Sequence, residues 1–281
     1  MKACVFKAIG APLEVVELPD PVAAPGELVV RVKACGICGS DLHAATSAKA
    51  KLPPGTIMGH ELAGVVDQIG ANVTGFEVGD PVVVMSYLAC GDCASCRAGI
   101  GVRCEAMALV GFGEAPGGYA ELIKRFSGAR AIVVSELLLD RREVALKLGA
   151  DAAVDPRMHS PTAAMTRLTG AGPDVIFECI GEAGTMAQAI SHAPRGGRVT
   201  ILGVSMEDDG FPPGLAMSKE LDVNFSLGLA PGEVETTIAV LASGRISSEP
   251  MITHTVSLDD LPRAFDALTR PSNQTKVMLE I

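Results

Sequence analysis

Apolar and polar residues alternate along this chain with one period before about residue 130 and with another after it. The first part carries short apolar runs broken by turn residues: KACVF at 2–6, LEVVEL at 13–18, ELVVRVKA at 27–34, ELAGVVDQIG at 61–70 and DPVVVM at 80–85. In the third run Leu28, Val30 and Val32 alternate with Val29, Arg31 and Lys33, the period-two signature of a half-buried strand, with Gly26 as its turn. A Pro-rich loop from Asp20 to Pro25 and the turn residues from Asn72 to Gly79 separate the runs. This pattern predicts β-barrel or β-sandwich material. Past residue 130 strands and helices take turns. ARAIVVSE at 129–136 reads as a buried strand, followed by a helix from Asp140 to Leu148 that stops at Gly149. AAVD at 152–155 precedes a helix near Ala163 to Leu168, DVIFECIG at 174–181 one near Ala183 to Ala193, and GGRVTILGV at 196–204 closes the series. Such alternation predicts a parallel sheet with helices on both faces, so the fold class is α/β with a separate β-rich domain.

Composition narrows the partners. A chain of 281 residues, 48% hydrophobic and 20% charged, is long enough for two domains with cores of their own. Its net charge of -10, without a Lys/Arg run, argues against nucleic acid and anionic membrane surfaces, which need clustered positive charge. Small molecules are the expected partners. No signal-like segment and no apolar stretch of membrane-spanning length is present, and this predicts a cytoplasmic protein with reduced thiols.

Two stretches carry the scarce chemistry. In CGICGSDLH and the GHE that follows, Cys38 offers a thiolate and His60 an imidazole, both zinc ligands. Ser40 and His43, in what reads as a Gly-rich turn, could pass a proton between substrate and solvent, and Glu61 suits a carboxylate behind the ligands or a third ligand. Cys and His incidental to a loop are the alternative. The second stretch, CGDCASCRAGIGVRC, spaces Cys90, Cys93, Cys96 and Cys104 so that four thiolates can close a tetrahedral zinc shell with no position left for substrate. Two disulfides or an iron–sulfur cluster are the other readings, and compartment and spacing favour structural zinc.

With CGICGSDLH, PGTIMGHELAGVV, the four-cysteine stretch and GGYAE at Gly117 to Glu121, the sequence resembles the zinc-dependent medium-chain alcohol dehydrogenases over nearly its whole length. The resemblance implies a GroES-like zinc-binding domain at 1–125, with 250–281 returning to it, and a dinucleotide-binding Rossmann domain at 126–249. It also implies oxidation of a small alcohol or polyol with NAD, catalytic zinc on Cys38 and His60, and a proton relay through Ser40 and His43. Glu136, at the end of the first strand past residue 130, can accept hydrogen bonds from both ribose hydroxyls, which favours NAD over its phosphorylated form; a solvated strand-end carboxylate is the alternative. By the same resemblance Arg141 meets the adenosine side and Lys276 the pyrophosphate, though each could equally be a surface charge. Cys179, Ile180, Gly181, Leu202, Gly203 and Val204 would line the nicotinamide side or serve the core. A homodimer or tetramer through DVNFSLG at Asp222 to Gly228 is also implied.

The sequence departs from that family at Lys124 to Gly128. After GGYAELIKR the chain passes directly to FSGAR, which resembles the lead-in to the second Rossmann strand. The stretch skipped would hold the third protein ligand of catalytic zinc, the GxGxxG turn and the first strand of the sheet. Gly111, Gly113, Gly117 and Gly118 do not replace that turn, since no helix follows them. A non-catalytic, zinc-stabilised interaction protein is therefore the second expectation.

Overall fold

A computed structural model describes residues 1–98, 100–113, 115, 131–228, 231–244, 246–270 and 273–281. The chain forms two compact units, one from Met1–Leu122, Gly228–Ala239 and Ile252–Ile281, the other from Ile123–Leu227 and Val240–Met251.

In the first unit β1 (Lys2–Val5) and β2 (Glu14–Glu17) pair antiparallel, with Lys2 opposite Glu17. The main sheet has the order β13 (Ile252–Val256), β14 (Lys276–Glu280), β3 (Leu28–Gly36), β4 (Leu62–Ile69) and β5 (Pro81–Val83). β13 and β14 run parallel and the other pairs antiparallel, so the last strand of the chain lies against β3, with Leu279 opposite Cys35. This register places the C-terminal strand beside the start of α1 (Gly39–Thr46). Gly64 makes the β3–β4 contact possible: a Cβ there would sit 2.3 Å from the Arg31 carbonyl oxygen. Leu62, Val66, Val277 and Leu279 are buried on the sheet, and Leu62 joins Val110 and Ala115 in a cluster completed by Val30, Val32 and Val84. Beyond β5 the lobe holding the four cysteines is a short antiparallel pair, β6 (Tyr87–Leu88) and β7 (Ala108–Leu109), with α2 (Ala94–Arg97) between them.

Among the described residues the sheet does not close into the expected barrel. Among the described residues β5 pairs only with β4 and β13 only with β14. β5 is three residues long and starts with an exposed Pro81, whose ring nitrogen has no hydrogen to donate, as suits a short edge strand.

The second unit contains β8 (Val133–Ser135), α3 (Leu139–Lys147), β9 (Ala152–Val154), α4 (Pro161–Thr169), β10 (Val175–Glu178), α5 (Thr185–His192), β11 (Arg198–Ile201), α6 (Pro213–Ser218) and β12 (Asp222–Phe225). Helix signals match their positions: Ser160 caps α4 through the Ala163 N–H, Pro161 occupies its first turn, and Gly170 ends it at φ 77°. Ala189, Ile190 and Ala193 pack on Val199 and Ile201 to make the core of this unit. Two further helices, α7 (Pro231–Ala242) and α8 (Leu261–Leu268), complete the chain, and α8 buries Leu261 and Phe265 one turn apart.

The strands here are parallel, as their spacing predicts, but they form two sheets, β8–β9 and β10–β11–β12. In a doubly wound sheet of order 3-2-1-4-5-6 the first strand lies between the second and the fourth. These are the places of β8 and β10, so the division falls where the sequence lacks its first strand. One face of β10 is also poorly covered: Val175 and Phe177 are 40% and 60% exposed, in a class of sheet that normally buries both faces.

Candidate metal centres and cofactor loops

Each of the four lobe cysteines offers a sulfur, and all four sulfurs lie within 4.8 Å of one another. The Cys90 and Cys96 sulfurs are 3.9 Å apart and those of Cys93 and Cys96 3.5 Å. A tetrahedral ion with bonds of about 2.3 Å holds sulfurs about 3.8 Å apart, so the cluster fits zinc as it stands. All eight cysteines of the chain are unbridged, which leaves the two-disulfide reading without support. Backbone amides already solvate the anions. The Cys90 N–H donates to the Cys104 sulfur at 3.3 Å, and the Ala106 N–H to the same atom at 3.4 Å. Hydrogen bonds from the Cys96 and Glu105 amides pull the Cys93 thiol down to about 6. Burial, and the Cys93 sulfur beside it, push Cys96 the other way, since neighbouring thiolates disfavour one another's charge. By contrast burial alone raises Cys4 to about 12, and it behaves as a small apolar core residue.

The other centre is built on the first turn of α1. Cys38 is the N-cap of this helix, and the segment expected as a Gly-rich turn is helical from Gly39 onward. Asp41, fully buried, does two things at once: its Oδ2 accepts the Cys38 N–H at 3.2 Å, and its Oδ1 lies 3.4 Å from His60 Nδ1. One carboxylate thus fixes the backbone that carries the thiol and the ring that carries the imidazole. Sequence reading passed over Asp41, although an acidic residue three positions past an N-cap is the spacing of a capping box. Ser40 Oγ donates to the Cys38 sulfur at 3.2 Å and lies 3.4 Å from His60 Nε2, so it stands at the face where both ligand atoms converge. His43, half-buried, follows Ser40 by three residues on the same helix face. Across the ring, Phe112 tilts against His60 with centroids 5.2 Å apart. Gly111 brings that loop in at φ 78°, where a Cβ would meet the Gly59 backbone at 2.6 Å. Burial disfavours a charged His60, but the Asp41 carboxylate and the Cys38 sulfur beside it prevail and hold the ring up at about 10. Cys38, Asp41 and His60 each present a donor atom within 4.8 Å of the others. The chemistry suits zinc, with Cys38 and His60 as ligands and Asp41 on the far ring nitrogen. These are two first ligands of the three that an open zinc site uses.

Glu61 is not in that cluster. Its Oε2 accepts from Lys276 Nζ at 3.1 Å, and Lys276 also donates to the Ile37 carbonyl at 3.2 Å; both side chains are buried. Lys276, expected near a pyrophosphate, is a buried ion-pair partner on β14, directly behind the segment that leads into Cys38.

In the second unit Glu136 follows β8, and its Oε1 accepts the Leu138 N–H at 2.8 Å, starting α3. Arg141 lies in the first turns of α3 and is half-buried. Its neighbour Arg142 donates to the Glu136 and Leu137 carbonyls, each at 2.7 Å, and lies 3.5 Å from Asp155. The loops after β10 and β11 touch closely. A Cβ on Gly203 would meet the Gly181 nitrogen at 2.3 Å, and one on Gly181 the Val204 nitrogen at 2.6 Å. Cys179, Ile180, Gly181, Leu202, Gly203 and Val204 thus form one surface, with Cys179 and Ile180 outward. The GGYAE motif and the junction at Lys124 to Gly128 lie outside the described residues.

Comparison with known proteins bears on these sites. Residues 24–131 match the alcohol dehydrogenase GroES-like domain, and residues 117–243 match zinc-binding dehydrogenase. The chain is 30% identical to L-threonine 3-dehydrogenase of Pyrococcus abyssi over 338 positions that take in 96% of this chain and 95% of the relative. It belongs to the zinc-dependent medium-chain alcohol dehydrogenase family. This dehydrogenase-family chain is also 26% identical to L-threonine 3-dehydrogenase of Rhizobium etli, over 100% of its own length and 98% of that protein. Alcohol dehydrogenase TADH from Thermus sp. ATN1 superimposes with a TM-score of 0.84 at 26% identity, covering 100% of this chain and 99% of that one. For the alcohol dehydrogenase of Aeropyrum pernix the TM-score is 0.85 at 21% identity, with full cover of both, and this shows the shared fold. The alignment with the Pyrococcus enzyme is longer than the chain, 338 positions against 281 residues. The relative therefore carries residues that have no counterpart in this shortened member. No described helix is long and apolar enough to cross a membrane.

Proposed function

We propose that this chain is a zinc-dependent, NAD-linked dehydrogenase of a small alcohol or polyol. The observation that carries the reading is the convergence of the Cys38 sulfur, the His60 ring and the Ser40 hydroxyl at the start of α1, with buried Asp41 behind them. Zinc bound to Cys38 and His60 would supply Lewis acidity toward a hydroxyl oxygen, and NAD would accept the hydride. Ser40 takes the hydroxyl proton and His43 carries it outward along the same face of α1. Glu61 and Lys276 hold β14 against the His60 segment, and Glu136 is the acceptor for a ribose. That two relatives are named L-threonine 3-dehydrogenase makes a small substrate with a secondary hydroxyl beside polar groups the first to try.

The test is reduction of NAD by zinc-loaded protein of 28.9 kDa intact mass, offered L-threonine, simple secondary alcohols and polyols. Turnover is expected, and Cys38→Ala or His60→Ala should abolish it while the lobe keeps its zinc. Absence of turnover across the panel in protein that holds two zinc ions sinks the proposal.

A second reading is a non-catalytic, zinc-stabilised interaction protein. What favours it is the division between β8 and β10, together with the alignment positions that this chain does not fill. It predicts a single tightly held zinc, on the lobe, and no NADH binding at concentrations up to the millimolar range.

A further inference from the structure

The carboxyl ends of β10 and β11 are organised by one buried acid for which neither the metal chemistry nor the core has a use. Glu178, the last residue of β10, is 6% exposed. Its Oε1 accepts the N–H of Ile180 at 2.7 Å and that of Gly181 at 3.1 Å. Its main-chain carbonyl accepts the N–H of Leu202 at 2.8 Å and that of Gly203 at 2.9 Å, so the backbone at 178 ties the second loop while the carboxylate ties the first. Space is closed around it as well: a Cβ on Gly203 would come within 2.5 Å of Glu178 Oε2. The two glycines remove side chains from the seam, and the acid fills it. In an open α/β sheet ligands bind beyond the carboxyl ends of the strands, which is where this seam lies. A buried acid is expensive to keep unless its hydrogen bonds are used, and these all serve to fix loop backbone.

We propose that Glu178 is a positioning residue whose carboxylate locks loop 179–181 where it packs on loop 202–204, so that the two form a wall against which the nicotinamide end of the cofactor rests. The ligand half of this statement depends on the dehydrogenase reading above, while the loop half does not. Glu178 touches no substrate. It acts by presetting the outward groups of Cys179, Ile180 and Val204, so that no ordering of the loops is needed when a ligand arrives.

The experiment compares the full chain with Glu178→Ala and Glu178→Gln by amide hydrogen exchange and by titration with NADH. In Glu178→Ala two amides lose their acceptor. Exchange at Ile180 and Gly181 should rise on the order of tenfold or more, and NADH binding should weaken by a similar factor. Glu178→Gln keeps an acceptor oxygen in the same place and should return both readings to within about threefold of the unsubstituted chain. Amides of α5 serve as the control for folding. If they also lose protection in Glu178→Ala, Glu178→Asp, which keeps the acid but draws it back by one methylene, replaces that variant with the same expectation. Loop exchange and NADH affinity equal to those of the unsubstituted chain, or failure of Gln to restore them, overturns the proposal. If the unsubstituted chain does not bind NADH, the cofactor reading falls together with the ligand half, and loop exchange alone decides the rest.

Discussion

At the scale of single residues two buried carboxyl groups, those of Asp41 and Glu178, do most of the positioning, and they do it through backbone amides and a ring nitrogen. Asp41 has no exposure and links Cys38 to His60. Asp41→Ala should therefore weaken zinc at Cys38 and His60 by about 10- to 100-fold, because the ring loses the partner that sets its orientation. Competition with a chromophoric chelator measures this, and an unchanged affinity would remove Asp41 from the centre. The Glu61–Lys276 pair is a different case, since removing one partner of a buried pair leaves the other uncompensated, at about 3–5 kcal/mol. At the mouth of β9 the Arg157 guanidinium, hydrogen-bonded to Asp155, holds its carboxyl at about 2, below the ordinary 3.8. A carboxyl depressed in the folded state lends stability above its unfolded value and loses it as pH falls through the folded one. The difference in urea midpoint between the unsubstituted chain and Asp155→Asn should therefore be full at pH 5 and vanish near pH 2. A difference that does not change with pH would refute this.

Among the elements, those of the four-cysteine lobe are very short. Its strands β6 and β7 are two residues each and α2 is four, far below the length at which a strand pair or helix holds its shape unaided. The four sulfurs must supply the rest. Chelation should therefore open the lobe to trypsin after Arg97 or Arg103, both exposed, while the zinc-loaded chain resists. Mass spectrometry of the fragments shows which bond is cut, and equal cleavage with and without chelator would mean that the lobe needs no metal. Helix α1 teaches a related lesson. Its sequence, GSDLHAAT, has four small residues, Gly39, Ser40, Ala44 and Ala45, and shows little apolar period, so it reads as a turn. Capping by Asp41 and burial of Ala44 and Ala45 make it a helix.

For the molecule as a whole, the consequence to test is the open edge of the parallel strands. β10 presents Val175 and Phe177 outward and, among the described residues, pairs only with β11. Unpaired, apolar strand edges associate. Sedimentation should show self-association of the full chain that decreases in Phe177→Lys, a charge on the exposed face that leaves the core of Ile190 and Val199 untouched. Identical sedimentation of the two proteins would assign any oligomer to another surface, such as the Asp222 to Gly228 segment.

Much of this was legible in the residues themselves. Short apolar runs, that of β3 with a clear period of two, marked β1 to β5, and their shift to βα alternation marked the second unit, because strand and helix periods follow from local backbone geometry. The spacing of Cys90, Cys93, Cys96 and Cys104 is close enough in sequence to dictate one cluster, and Cys38 with His60 suggested a second. What pairs across long separations was not legible. That Lys276 meets Glu61 depends on β14 returning to β3, and that Asp41 faces His60 depends on α1 folding under the β4 entry. The open sheet and the division between β8 and β10 are likewise outcomes of which edges find partners, and a linear pattern records a strand's faces without recording its neighbours. Glu178 shows the limit most clearly: in sequence it is one acid after an apolar run, and only the approach of Gly181 to Gly203 gives its four amides a common anchor.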